Sequence, residues 1–151
     1  MPIEVDKYVK TPLPSWAEEP DYVLHGTGPY GDKVVREQLW MKRIGEGVYE
    51  LRCVPMFLYG LAYGDLVTRD DGEALRVVEP SGRSAFRVFW SVPCDDREMF
   101  ERQVGDRNGR VVWYSSRLVG VDAEKGKTDD LEEWFEQQQR AGTFEWEVSK
   151  R

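Results

Sequence analysis

The 151-residue chain is poor in the two residue types that metal centres and nucleophilic triads draw on most: it holds one histidine, His25, and two cysteines, Cys53 and Cys94. A single imidazole excludes multi-histidine metal sites, and any Ser-His-Asp or Cys-His triad would have to be built on His25. Its neighbours Leu24 and Gly26 offer no base-orienting group, so His25 reads as a loop histidine without a catalytic role. Two cysteines do not make a disulfide framework and suit a reducing cytoplasm. Asp95 and Asp96 follow Cys94 directly, and their charge works against a reactive thiolate. No catalytic set, metal or cofactor is therefore expected.

Long apolar runs are lacking too. The longest weakly charged stretch, 54–66, is interrupted by Pro55, Gly60 and Gly64 and falls short of the roughly 20 residues a bilayer span needs. The opening MPIEVDKYVKTPLPSW carries acids and prolines where a secretory signal needs a basic start and an apolar run. Neither a membrane partner nor export is expected. Positive charge is in deficit, with 21 Lys+Arg against 28 Asp+Glu, a net charge of −7 and a pI of about 4.9. Phosphate-backbone binding draws on Lys and Arg displacing counterions, so the expected partner is a basic protein and not nucleic acid.

Aromatic residues are plentiful: six Trp, seven Tyr and six Phe in a chain that is 40% hydrophobic. That suffices for a packed core without a metal or disulfide staple. Residues 1–33 hold five of the eight prolines and read as a proline-rich arm. Within it, Gly26-Thr27-Gly28-Pro29-Tyr30-Gly31 fits Gly-x-Gly-x-x-Gly. A phosphate loop must open a helix, and the β-like run that follows makes a flexible, turn-rich connector the expectation instead.

Residues 34–82 read as β-rich: VVREQLWMKRI and VYELRCVPMF flank Gly45-Glu46-Gly47, and LVTRD and ALRVVEP flank Asp71-Gly72. Four short antiparallel strands with glycines at the bends predict a small curled sheet or partial barrel. In residues 83–151, SAFRVFWSV, a short helix capped by Asp95 or Asp96, RVVWYSS, RLVGVDAE, the helix DDLEEWFEQQQRA and TFEWEVSK follow in order. Asp129 and Glu132 resemble a capping box, and Gly142 is placed as the residue after the helix. The order β-α-β-β-α-β predicts a ferredoxin-like sandwich, so the expected class is α+β.

Three motifs stand out along this body. EQLW (37–40), VPMFLYGLAYGDLV (54–67) and SGRSAFRV (81–88) together resemble the uncharacterised bacterial family named domain of unknown function 4265. The resemblance covers about residues 34–150. It implies a bacterial protein with a β-rich first half and an α+β second half, and it carries over no catalytic residue.

Two surfaces are candidates for function. Residues 128–147 contain seven acids and one base, Arg140, so Asp129, Asp130, Glu132, Glu133 and Glu136 form an acidic helix face over an aromatic one. Such a face steers a basic protein. The expected function is a non-enzymatic, cytosolic protein-binding role of the immunity-factor kind, in which this face blocks a cognate bacterial toxin encoded nearby. The alternative is a small-ligand sensor or regulatory module, with Tyr59, Tyr63 and Asp65 lining a cleft between the two halves. Asp65, in a Gly-Asp step before a strand, also reads as a turn residue whose carboxylate caps backbone N–H groups.

Overall fold

The computed structural model describes residues 4–151. Its first sheet has six strands: β1 (Lys7–Lys10), β2 (Tyr22–Tyr30), β3 (Lys33–Gly45), β4 (Val48–Leu51), β5 (Leu66–Arg69) and β6 (Leu75–Glu79). Strand β3 is its hub. Along one edge it pairs antiparallel with β2, from Lys33 opposite Tyr30 to Met41 opposite Tyr22. The other edge is shared end to end by β1, which runs parallel opposite Val35–Gln38, and β4, which pairs opposite Met41–Gly45. Strands β5 and β6 continue from β4, and the sheet curls until the Thr27 N–H reaches the Glu73 carbonyl at 2.8 Å. That bond bridges β2 to the β5–β6 turn without a continuous ladder, so the barrel does not close.

Residues 7–10 and 22–30 of the expected arm are strands β1 and β2 of this sheet. Gly26–Gly31 is not a connector. Gly26 and Gly28 lie inside β2, where a Cβ on Gly26 would sit 2.8 Å from Leu75 Cδ1 and 2.9 Å from Leu58 Cδ1. These glycines serve close packing against leucines far along the chain, which local sequence cannot reveal. Pro29 is tolerated because β2 has only one ladder to satisfy.

The second sheet contains β7 (Arg83–Phe89), β8 (Gly109–Ser115), β9 (Leu118–Glu124) and β10 (Glu145–Lys150), ordered β10-β7-β9-β8 with every neighbour antiparallel. Helix α1 (Arg97–Gly105) lies between β7 and β8 in sequence, and α2 (Asp129–Arg140) between β9 and β10. Asp96 caps α1 by accepting from the Met99 N–H. At α2 the N-cap is Thr128 and not Asp129, and its hydroxyl donates to Glu132 Oε2 at 2.7 Å in place of the expected box. The other end follows expectation: Gly142 has φ +77, and the Thr143 and Gly142 N–H groups close on Gln138 and Gln139 carbonyls.

Alternation on β7 divides the interior in two. Phe86 and Val88 face α1 and α2 and join Phe100, Val104, Leu131, Trp134, Phe135 and Phe144 in an aromatic core. Ala85, with Val112 and Leu118, faces the other way, against Leu39, Met41, Val54, Met56 and the rest of the first half. The fold is α+β in three layers: helices, second sheet, then the curled sheet with the 52–65 segment pressed between. Several sheet edges are occupied by side chains or loops. Gln139 Oε1 accepts from the Trp146 N–H (3.1 Å), the Gly60 N–H donates to the Ser149 carbonyl (3.0 Å), and the Trp16 indole donates to the Val111 carbonyl (2.8 Å).

Candidate functional site

The three sequence motifs converge in space on the segment between β4 and β5. Glu37 sits in β3 on the inward face, between Val35 and Leu39, and is fully buried. Its carboxylate accepts from three successive backbone N–H groups, Met56 (2.6 Å), Phe57 (3.1 Å) and Leu58 (2.9 Å), and from the Thr11 hydroxyl. A buried carboxylate is tolerated when donors fill its lone pairs, and here they fix the loop's path.

Arg87, also fully buried, reaches the same loop from β7: Nη2 donates to the Leu58 carbonyl at 2.9 Å and to Ser149 Oγ at 3.1 Å. Its guanidinium lies 4.3 Å from the Tyr59 ring centre, and Nε is 3.2 Å from Glu147 Oε1. Burial pulls its pKa below the usual arginine value while Glu147 pulls it back. Nε and Nη1 make no hydrogen bond. Asp65 completes the set, accepting from the Ala62 N–H (2.9 Å), the Ser81 N–H (2.8 Å) and Lys150 Nζ (2.6 Å).

Residues 37–146 match the profile of the family described as Domain of unknown function (DUF4265). The chain belongs to the DUF4265 family. The fold of this DUF4265 protein is also similar to a solved structure titled "Novel crystal structure of a hypothetical protein from Neisseria gonorrhoeae". The TM-score is 0.73 at 14% identity, covering 88% of this chain and 96% of that one, a likeness of fold alone. No curated protein matches the chain.

Of the three residues expected to line one cleft, two are enclosed by the protein. Asp65 is buried in its turn, and Tyr63 is covered by Trp16 and accepts from the Glu18 N–H. Tyr59 borders an opening, a cleft of about 250 Å³ lined also by residues 27–29 of β2, Leu58, Leu61 and the start of β6. Its hydroxyl contacts both Glu147 oxygens, and burial with that carboxylate pushes its pKa up to about 12. It is a donor and not a phenolate at neutral pH.

The acidic face of α2 is divided. Asp129, Asp130 and Glu133 stand exposed. Glu132 and Glu136 are half-buried: Arg151 lies 2.6 Å from Glu132, and Glu136 meets Arg140 at 3.5 Å and the Trp146 indole at 3.3 Å. Asp130 has Arg107 at 3.7 Å. Among the described residues, no cation lies within 4.0 Å of Asp129 or Glu133.

Among the described residues, no group of three or more His, Cys, Asp or Glu is arranged to hold a metal, and no helix is long and apolar enough to cross a membrane. His25 lies in β2 opposite Gln38, not in a loop. Both cysteines are free, and burial drives the Cys53 thiol far above its ordinary pKa. Glu37 and Arg87 belong to two of the sequence motifs, EQLW and SGRSAFRV, which do not by themselves mark them as buried partners of one loop. The available signal was a charged side chain at an inward position of an alternating strand.

Proposed function

We propose that this DUF4265 protein is a non-enzymatic, cytoplasmic protein-binding protein of the immunity-factor kind, which seats a basic partner on the exposed acids of α2. What carries the reading is that Asp129 and Glu133 project from a helix fixed in place by Leu131, Trp134 and Phe135, with no described cation engaging them. A rigid element presenting unneutralised charge accelerates encounter with an oppositely charged surface and rejects like-charged ones. Glu132 and Glu136 have a smaller share, since their charge is already met from within the protein. The ferredoxin-like reading of residues 83–151 belongs to the same proposal and is supported by the β10-β7-β9-β8 order with a helix in each crossover.

The test is calorimetric titration with the purified product of the adjacent reading frame at low and high salt. The triple reversal D129K/D130K/E133K should weaken binding at least about tenfold and flatten its salt dependence, whereas reversing the exposed Glu46 and Asp71 should not. Equal affinities for the two charge-reversed proteins would overturn the reading.

A second reading, a small-ligand module, is favoured by the cleft beside Tyr59. Thermal-shift screening tests it: a ligand whose stabilisation disappears in Tyr59→Ala would support it, and no stabilisation by any metabolite would end it.

A further inference from the structure

The outer face of the first sheet carries a groove of about 330 Å³, lined by Tyr8, Lys10, His25, Arg36 and Gln38, with Val9 at its base. Register builds it. Tyr8 of β1 lies opposite Arg36 of β3, which lies opposite Thr27 of β2; two residues on, Lys10, Gln38 and His25 line up in the same way. Side chains on one face of adjacent strands project together, so two cross-strand rows form the walls.

The charge of this groove runs against that of the chain. No acid lines it. Glu73 is held by Arg36 through Nε and Nη2, both at 2.9 Å, and Arg69 stands 3.4 Å from the same carboxylate. Lys10, Arg36 and Arg69 against Glu73 make a local net charge of +2 in a chain whose total is −7. Lys10 forms no ion pair among the described residues, and Arg36 Nη1 is left free by the Glu73 pair. Tyr8 is 70% exposed and offers a flat surface beside these donors.

We propose that this groove binds a small phosphorylated ligand with a planar ring, of the nucleoside monophosphate class. Lys10 and Arg36 Nη1 take the phosphate, and Tyr8 and His25 take the ring. The pairing of charge with flat surface is what nucleotide-binding platforms use. The groove's volume is near the small end for ligand pockets, about 300 Å³ and upward, so it suits one nucleotide. The negative charge over the rest of the chain repels a long polynucleotide. Burial first, and then the Arg36 charge, hold the His25 pKa below the ordinary histidine value; Glu73 works against them and Arg69 adds to them. This rests on residues distinct from the α2 face and stands or falls independently of it.

Because the chain has one histidine, its imidazole C–H resonances report on this groove without ambiguity. Titration of the full chain with 5′-AMP should shift them saturably with a Kd below about 1 mM. Inorganic phosphate alone and adenosine alone should each bind at least tenfold more weakly. Lys10 and Tyr8 are exposed, so Lys10→Glu and Tyr8→Ala should leave the melting temperature unchanged and weaken AMP binding at least tenfold. Unmoved His25 resonances at millimolar AMP would overturn the proposal, as would a Lys10→Glu protein that binds AMP normally. Phosphate binding as tightly as AMP would overturn the assignment of the ring.

Discussion

Glu37 and Arg87, one from each sheet, hold opposite sides of the same residue: the Leu58 N–H donates to Glu37 and the Leu58 carbonyl accepts from Arg87, both at 2.9 Å. The two halves of the protein are thus joined through a backbone unit gripped by two buried charges. Glu37→Ala would leave three buried N–H groups without an acceptor and is expected to cost about 3–5 kcal/mol in urea unfolding. Glu37→Gln keeps the volume but turns one oxygen into a donor facing donors, for about 2 kcal/mol. Arg87→Met refills the space and removes the two guanidinium nitrogens that make no hydrogen bond, so it should be less destabilising than Arg87→Ala by about 2 kcal/mol.

Close packing makes a second prediction. A Cβ on Gly109 would lie 2.5 Å from Val104 Cγ1 and 3.3 Å from both the Val104 carbonyl oxygen and Val121 Cγ1, where α1 meets β8. Gly109→Ala should destabilise by about 1–3 kcal/mol through overpacking. Gly45→Ala, with nothing within 4 Å of the new methyl, should change stability by less than about 0.5 kcal/mol. Thermal unfolding of both variants checks the contrast.

Stability should decline with acid in two stages. The folded-state pKa of His25 lies below its ordinary 6.5, first because of burial and then because of Arg36, with Glu73 opposing and Arg69 adding to the shift. The unfolded chain therefore takes up this proton first, and the contribution present above pH 6.5 is lost as pH falls through the folded value. Glu73, lowered from 4.5 chiefly by its hydrogen bond to Arg36, contributes stability above that value, which is lost at lower pH. Unfolding measured from pH 7.5 to 3 should show the first decline vanish in His25→Gln and the second persist.

Thiol chemistry should separate the cysteines. Cys53 is fully buried, with its sulfur beside the Trp40 backbone, while Cys94 is partly exposed. A thiol reagent at pH 8 should label Cys94 in the native protein and reach Cys53 only as the chain unfolds. Equal labelling rates without denaturant would contradict the structure.

The order of elements from β3 onward was legible because those segments keep their period: Tyr49 and Leu51 alternate with charge on β4, and Leu131, Trp134 and Phe135 recur at helical spacing on α2. The Asp65 turn was legible as well, since a Gly-Asp step caps locally, through the Ala62 N–H. Its tie to Lys150, 85 residues away, was not. Strands β1 and β2 were not legible because they answer to distant neighbours: Gly26 makes room for Leu58 and Leu75, and β1 finds its partner in β3. The burial of Glu37 follows from its place on the inward face of β3, which depends on that strand's neighbours and not on local sequence.

The engaged strand edges also limit how molecules of this protein can meet. Adding a neighbour's strand requires a row of free N–H and carbonyl groups, and Gln139, Gly60 and Trp16 interrupt such rows on β10 and β8. Pro29 removes a donor from β2, while β1 and β6 are short and carry Lys7, Lys10, Arg76 and Glu79. Strand exchange and fibrous self-association are thereby discouraged at these rims, and recognition is left to side chains.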